Sequence, residues 1–371
     1  MKIFFGKSHA LFKRTLGKIT RRPCLFFQRH RMIFIAETGV RIPGGYAVVL
    51  TAEDRDMTKR QVVVSAETLS ELHDGDVVLV QPDGIIHVLY DSQSQNHTLL
   101  VTERCNHTCV MCPQPPVLKE ENKTEINLRL ISLFDRKPGH IGVTGGEPTL
   151  MGPDLFVLLR AIRRRLPMMS VSVLTNGVRL SDWAFARQFA DIGHPDLQVE
   201  IPLYADTDTE HNHIVGAGTF YQTIQGLHNL ARLRLRTGLR IVIHRQTVSR
   251  LPQLAEFIYR NFPFVWHVMF MHMEPVGWAA DHIQELWVDP YDCNSDLQKA
   301  VLYLSRRGMN VSIYNAQLCV LPEMLRPFAR QSISEWKNMY LPECSVCQKK
   351  TDCPGLFDSA IQYHSAHIAP F

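Results

Sequence analysis

Three cysteines fall within eight residues of the stretch RCNHTCVMCPQPP (104–116), at Cys105, Cys109 and Cys112. Their spacing is C-x3-C-x2-C, and the prolines that follow forbid a regular helix. Thiolates spaced this way on a loop can turn toward one iron–sulfur cubane. Four irons held by three protein thiolates leave one iron open to an outside ligand. Two other readings stand beside this one: three unrelated buried cysteines, or a zinc site completed by His107. A second group lies near the other end, in ECSVCQKKTDCPGLF (343–357), where Cys344, Cys347 and Cys353 are spaced C-x2-C-x5-C. Cys319, in NAQLCVLP, is the best candidate for a fourth ligand there. A structural zinc site is the competing reading of this second group. Cys24 and Cys293 stand alone and read as buried structural cysteines.

Composition narrows the setting for these thiols. The chain has 371 residues, is 45% hydrophobic and 20% charged, and carries nine cysteines. That length exceeds one average domain. Clustered cysteines in a chain of this size belong to metal sites in a reducing cytoplasm, whereas disulfide scaffolds belong to small secreted chains. No apolar run approaches the roughly eighteen residues that a membrane span needs. Nine basic residues, Lys2 through Arg31, precede the first acid, Glu37. No apolar segment or cleavage site follows them, which argues against a secretory signal. They read as a solvated basic face, with a transit peptide or a basic docking arm left open. A net charge of +4, concentrated at one end, does not argue for nucleic-acid binding.

The elements that would position the cysteines follow from periodicity. Residues 1–96 read as a small β-rich domain, with the runs GGYAVVL, RQVVVSA, GDVVLV and GIIHVLY and a QPDG hairpin turn between the last two. DSQSQNH (91–97) reads as a linker. Residues 97–311 alternate strand and helix signals. The strand candidates are 98–103, 140–146, 170–177, 197–205, 239–245 and 265–275. Six β-α repeats imply a parallel sheet, and six strands are too few for a closed eight-stranded barrel. The expectation is an open partial (βα)6 barrel with its site at the carboxyl ends of the strands. NVSIYNA (310–316) is one further strand candidate, and residues 312–371 form an irregular cysteine-rich tail.

Two more motifs share that strand edge. TGGEP (144–148) ends the second strand and TNG (175–177) ends the third. Each alone is ordinary turn punctuation. Together with the cysteine trio, the chain resembles the radical SAM (S-adenosylmethionine) superfamily over residues 98–280, and MEPVG (273–277) resembles that superfamily's sixth-strand segment. The resemblance implies a partial barrel of the radical SAM type. It implies that Cys105, Cys109 and Cys112 hold a 4Fe–4S cluster whose open iron is chelated by the methionine moiety of SAM. It also places Gly145, Gly146, Glu147, Pro148 and Asn176 at the cofactor, with Glu147 accepting from the SAM ammonium. The residue before the third cysteine is usually aromatic in that superfamily and here is Met111. The implied chemistry is reductive cleavage of SAM to methionine and a 5′-deoxyadenosyl radical, which takes a hydrogen atom from the substrate.

The tail resembles the auxiliary-cluster domains of peptide-modifying members, the SPASM and Twitch group. The position of that group's last cysteine is here Phe357. The resemblance implies one auxiliary cluster, held by Cys344, Cys347, Cys353 and Cys319, and an open iron if Cys319 does not ligate.

As a whole, the arrangement is similar to the HxsC family of His-Xaa-Ser system radical SAM maturases. That similarity implies a ribosomally made His-Xaa-Ser repeat protein as substrate, a second radical SAM maturase as partner and a reducing electron donor. The N-terminal domain could dock a leader peptide along an open strand edge or simply cap the barrel. His211 and His213 invite a metal reading but sit in a pattern that resembles an ordinary turn after the fourth strand. No general acid or base is named. A radical SAM enzyme of a small metabolite and a non-catalytic iron–sulfur or zinc protein remain as alternatives.

Overall fold

The computed structural model describes residues 2–8, 13–37, 39, 42–53, 61–332 and 338–371. Arg60, which opens the run RQVVVSA, and residues 333–337 of the cysteine-rich tail lie outside the described residues.

One compact unit runs to Leu99 and includes Asn122–Gly142 and Val157–Ser170. Its strands are β1 (Ile3–Phe4), β2 (Lys7–Ser8), β3 (Thr15–Thr20), β4 (Met32–Ala36), β5 (Val48–Thr51), β6 (Gln61–Val63), β7 (Val77–Val80) and β8 (Ile86–Tyr90). They form one sheet in the order β1-β8-β7-β3-β4-β5-β6-β2. QPDG makes the expected hairpin, with Gln81 N donating to Ile85 O at 2.8 Å and β7 antiparallel to β8. By contrast, β3 through β6 pair in parallel. Ile19, Ile33, Val48, Leu50, Val62, Val78 and Ile86 are buried in one apolar core. The edge strands β1 and β2 have two residues each and are separated in sequence only by Phe5 and Gly6. The sheet therefore curls so that its two ends approach.

Among the described residues, two α-helices lie wholly in this unit, α1 (Ala66–Glu71) and α2 (Thr124–Leu133). Arg129 on α2 donates to Leu16 O at 2.8 Å, and Lys18 pairs with Asp135 at 2.5 Å. Tyr90 stacks on His97 with ring centroids 4.3 Å apart.

The second sheet comprises β9 (Asn96–Thr102), β10 (Gly139–Gly145), β11 (Met169–Leu174), β12 (Leu197–Pro202), β13 (Arg236–Ile243), β14 (His267–His272), β15 (Val311–Tyr314) and β16 (Ala329–Arg330). Strand order follows sequence order throughout, and the pairs from β11 to β16 are parallel. The sheet is a curled parallel half-barrel. NVSIYNA supplies β15, so the sheet has more strands than the six read from the repeats. Even with eight strands, no pairing of β16 with β9 closes it among the described residues.

The other helices are α3 (Pro153–Arg165), α4 (Trp183–Ile192), α5 (Asp208–Val215), α6 (Phe220–Arg232), α7 (Leu251–Asn261), α8 (Trp278–Asp281), α9 (Ile283–Leu286) and α10 (Asn294–Ser305). Their ends follow local chemistry. Asp182 accepts from Ala184 N and Phe185 N at the start of α4, and Gly193 ends that helix in the left-handed region. Phe220, Thr223, Leu227 and Leu230 recur at helical spacing along the buried face of α6. The second compact unit comprises Leu100–Glu121, Val143–Phe156 and Val171–Phe371.

Candidate cluster and cofactor site

All three motif loops leave the carboxyl ends of adjacent strands: the cysteine loop after β9, TGGEP after β10 and TNG after β11. The cysteine loop is tied at its base. Glu120 accepts from Thr102 Oγ1 at 2.5 Å and from Glu103 N at 2.7 Å. Beyond that base, Thr108 N donates to Val215 O and Val110 N to Ile214 O, both at 3.0 Å, so the end of α5 braces the loop.

Gly145 and Gly146 pack against the same base. A Cβ on Gly145 would lie 1.9 Å from Thr102 O, and one on Gly146 2.3 Å from Arg104 O. Gly146 N instead donates to Thr102 O at 2.9 Å and Glu147 N to Arg104 O at 2.7 Å. The close backbone approach that these glycines permit is thus made to the chain's own cysteine loop.

Glu147 is buried and caps the short turn Pro148–Met151. Its Oε1 accepts from Thr149 N (2.9 Å), Thr149 Oγ1 (2.6 Å) and Thr175 Oγ1 (2.6 Å), and its Oε2 from Asn176 N (2.6 Å). Burial pushes its carboxyl above the usual range, against the downward pull of those bonds. The carboxylate assigned to the SAM ammonium therefore has four protein donors, which lock TGGEP to TNG. Asn176 extends the lock, its Nδ2 donating to Asn106 Oδ1 at 2.7 Å in the cysteine loop. Nothing in the motif pattern pointed to Asn106, Thr149 or Glu120 as partners, because their roles exist only once the loops are brought together.

The MEPVG segment closes the other flank. Gly277, at φ +58, lets Trp278 N reach Cys112 O at 2.9 Å, and a Cβ there would sit 2.7 Å from the carbonyls of Cys112 and Pro113. Met111 is buried against Ile214, Met273, Ala279, Ile283 and Leu286, with Cys109 packed on the same cluster.

Burial raises the Cys105 and Cys112 thiols and pushes Cys109 up to about 12. Metal loading of such thiols must release protons. His107 Nε2 is engaged by Thr219 Oγ1 at 2.9 Å. One tetrahedral zinc would draw its sulfurs to about 3.8 Å from one another. Among the described residues, the only set of three such ligands with all donor atoms within 4.8 Å is His73, Asp76 and Asp91, which contains no cysteine. Soft thiolates on a wider spread, with His107 committed elsewhere, fit a cubane better than a lone zinc. His211, on α5, is buried between Tyr204 and Phe220, and neither it nor His213 joins a three-ligand set among the described residues.

The four remaining predicted ligands come together. Cys319, Cys344, Cys347 and Cys353 all line one hollow of about 390 Å³. Cys344 and Cys347 bracket a single turn, Cys347 N donating to Cys344 O at 3.2 Å. Burial raises the Cys353 thiol, and Cys319 and Cys344 lie close enough to raise it further. Phe357 is buried in an apolar cluster with Leu356 and Ala360. Of the two lone cysteines, Cys293 is buried as expected, whereas Cys24 is only half-buried.

Comparison with known proteins agrees with this arrangement. The model of the Radical SAM superfamily matches residues 99–258. Fe-coproporphyrin III synthase of Methanosarcina barkeri is 29% identical over 205 residues, covering 54% of this chain and 49% of that protein. Mycofactocin maturase MftC of Mycobacterium ulcerans is 27% identical over 190 residues, covering 50% and 49%. GTP 3′,8-cyclase of Petrotoga mobilis is 26% identical over 189 residues, covering 48% and 55%. The chain thus spans about half the length of the curated relatives it matches. Streptococcus suis SuiB, solved with S-adenosylmethionine bound, superposes with a TM-score of 0.46 at 14% identity over 59% of this chain and 47% of that one, too loosely to add to the reading. With the family match and the half-barrel sheet together, residues 99–258 carry a radical SAM domain, of a superfamily whose enzymes work with a 4Fe–4S cluster and S-adenosylmethionine.

Proposed function

We propose that this chain is a radical SAM maturase acting on a ribosomally made His-Xaa-Ser repeat protein. The observation that carries the reading is the interlock of three loops at adjacent strand ends, in which TGGEP and TNG are hydrogen-bonded to the loop bearing Cys105, Cys109 and Cys112. Those three thiols would hold the 4Fe–4S cluster, and the backbone of Gly145–Pro148 with Asn176 would line the SAM site. Bound there, cluster and SAM supply one-electron cleavage of the sulfonium and removal of a hydrogen atom from the substrate. The protein's part is to position and to exclude water. Glu147 fixes the loops through Thr149, Thr175 and Asn176, and the Met111 cluster keeps the buried side of Cys109 dry.

Cys319, Cys344, Cys347 and Cys353 would hold an auxiliary cluster with all four corners closed, which suits passing electrons better than chelating substrate. Support for a peptide substrate comes from this cysteine-rich tail, from the likeness to the His-Xaa-Ser maturases and from a relative named as a maturase. A second maturase and a reductant would complete the system. Thiolates that hold iron–sulfur clusters would need a reducing cytoplasm, and no helix among the described residues is long and apolar enough to cross a membrane.

Anaerobic reconstitution with iron and sulfide, then SAM and dithionite, should yield 5′-deoxyadenosine, and Cys105→Ala should yield none. Co-expression with a His-Xaa-Ser repeat protein and the partner maturase should change that protein's intact mass. Nucleoside formation without any mass change would favour a small-metabolite substrate, the kind of molecule named for the GTP 3′,8-cyclase relatives. No nucleoside at all would leave a structural cluster protein.

A further inference from the structure

An open cavity of about 590 Å³ lies at the carboxyl ends of β13, β14 and β15, lined in part by Ile243, Met273, Trp287, Phe357 and Tyr363. It adjoins both cysteine groups. Met273 belongs to the apolar cluster that also holds Met111 and Cys109. Gln317, Gly355 and Leu356 line both this cavity and the hollow of Cys319, Cys344, Cys347 and Cys353.

Among the described residues that line this cavity there is no Asp, Glu, Lys or Arg. Of its two histidines, burial holds His272 at about 4, so that ring is uncharged near pH 7, and His364 is exposed to solvent. The segments that supply most of the lining, 272–290 and 354–365, contain five acids and no Lys or Arg. Arg245 and Arg330 each lie two residues from a lining residue. Arg245 is exposed, and Arg330 donates to Pro327 O and Ala329 O at 2.8 Å. An anion entering the cavity would shed water and meet no cation in return.

Two side-chain amides in the lining are held by the backbone around them. Asn315, at φ +62, donates from Nδ2 to His272 O at 2.9 Å, and Gln317 donates from Nε2 to Gly355 O at 2.8 Å. Those bonds settle which end of each amide is the nitrogen. Neither amide oxygen accepts a bond from the described residues. Each amide thus keeps one acceptor oxygen and a second N–H, the complement of a peptide group, which carries one donor and one acceptor.

We propose that this cavity takes a stretch of peptide bearing an uncharged side chain and rejects anions, with Asn315 and Gln317 binding the peptide group and Trp287, Phe357 and Tyr363 walling the side chain. The proposal rests on the peptide reading above and adds the charge that the bound segment must carry. The selectivity comes from the lining itself. Aromatic walls give an uncharged side chain apolar contact, whereas a carboxylate or phosphate would be desolvated without a charge-assisted donor. GTP, named for the cyclase relatives, is the kind of substrate that this lining turns away.

The test uses the full chain, reconstituted and SAM-loaded under anaerobic conditions, with three tritiated probes in equilibrium dialysis at pH 7.5. Acetyl-Ala-Gln-Ala amide and acetyl-Ala-Glu-Ala amide have the same shape and differ in one charge, and GTP stands for anionic metabolites. The glutamine peptide should bind, the glutamate peptide about tenfold more weakly or worse, and GTP not at all. Tyr363→Arg sets a cation in the lining and should tighten the glutamate peptide about tenfold while moving the glutamine peptide less than about threefold. Ala360→Trp fills the cavity from another wall and should abolish binding of the glutamine peptide. Equal binding of the two peptides by the parent, or tight binding of GTP that Ala360→Trp removes, would overturn the proposal. So would glutamine-peptide binding that survives Ala360→Trp with parental circular dichroism, or a parent that binds no probe. Should Ala360→Trp misfold, Tyr363→Arg decides. The expected preference without any mass change in a co-expressed repeat protein keeps the cavity assignment and removes that protein as substrate. A mass change without the preference does the reverse.

Discussion

Thr175 Oγ1 donates to Glu147 Oε1 across 2.6 Å, joining the loop after the third strand of the half-barrel to the loop after the second. Asn176 N reaches the other carboxylate oxygen at the same distance, so one buried side chain holds two motifs in register. The glutamate of the motif thus has an architectural task that can be tested apart from any contact with the cofactor.

Replacing Glu147 by glutamine sets an amide NH2 among donors that expect an acceptor. At least one buried donor is then unpaired, at a cost of about 1–3 kcal/mol. We expect the urea midpoint of Glu147→Gln to fall and its bound iron to fall with it, with Thr175→Val showing a smaller loss of the same kind. Unchanged stability and iron in both variants would sink the clamp and return Glu147 to a purely cofactor-facing role.

Gly145 and Gly146 allow no Cβ at all. An added methyl would meet Thr102 O at 1.9 Å or Arg104 O at 2.3 Å, and both obstacles are backbone. Gly145→Ala and Gly146→Ala should each lose most of the iron bound by the first cluster. Gly218→Ala, whose Cβ would meet nothing within 4 Å, serves as the matched control and should load normally. Inductively coupled plasma measurement of iron per chain separates the outcomes.

What could be read without coordinates was whatever residue types spell directly. Cysteine spacing, Gly-Gly-Glu and Asn-Gly are chemically unusual, and β-branched runs mark β5, β6, β7 and β8. Strands β3 and β4 escaped notice, and with them the parallel pairing of β3 to β6, because parallel neighbours need no turn between them. Moreover, TLGKIT carries a glycine and a lysine that blur the strand signal. The brace from Ile214 and Val215 onto Thr108 and Val110 escaped for a related reason: it uses backbone groups, which every residue has.

The cysteines should separate into two independent sets. Alanine at Cys105, Cys109 or Cys112 should remove about half of the iron and all SAM cleavage. Alanine at Cys319, Cys344, Cys347 or Cys353 should remove the other half and leave the first cluster's low-field EPR response to SAM. Zinc persisting in Cys105→Ala, with no iron, would identify the tail as a structural zinc site. An unaltered auxiliary signal in Cys319→Ala would show that Cys319 lines the hollow without ligating.

Acid should destabilise the fold through its buried histidines. Burial lowers both His244 and His272 to about 4, and neither His244 ring nitrogen has a partner. For a histidine depressed on folding, the unfolded chain takes up the proton first. Its contribution is whole above the unfolded value of about 6.5 and drains away as the pH falls toward 4. Each such group changes stability by on the order of 1.4 kcal/mol per pH unit inside that window. Urea midpoints should therefore be flat from pH 7 to 8 and decline steeply from pH 6.5 to 5, and His244→Leu should decline less steeply by about one proton. Midpoints that hold constant down to pH 5 would mean that these rings are already protonated, or hydrated, in the folded chain.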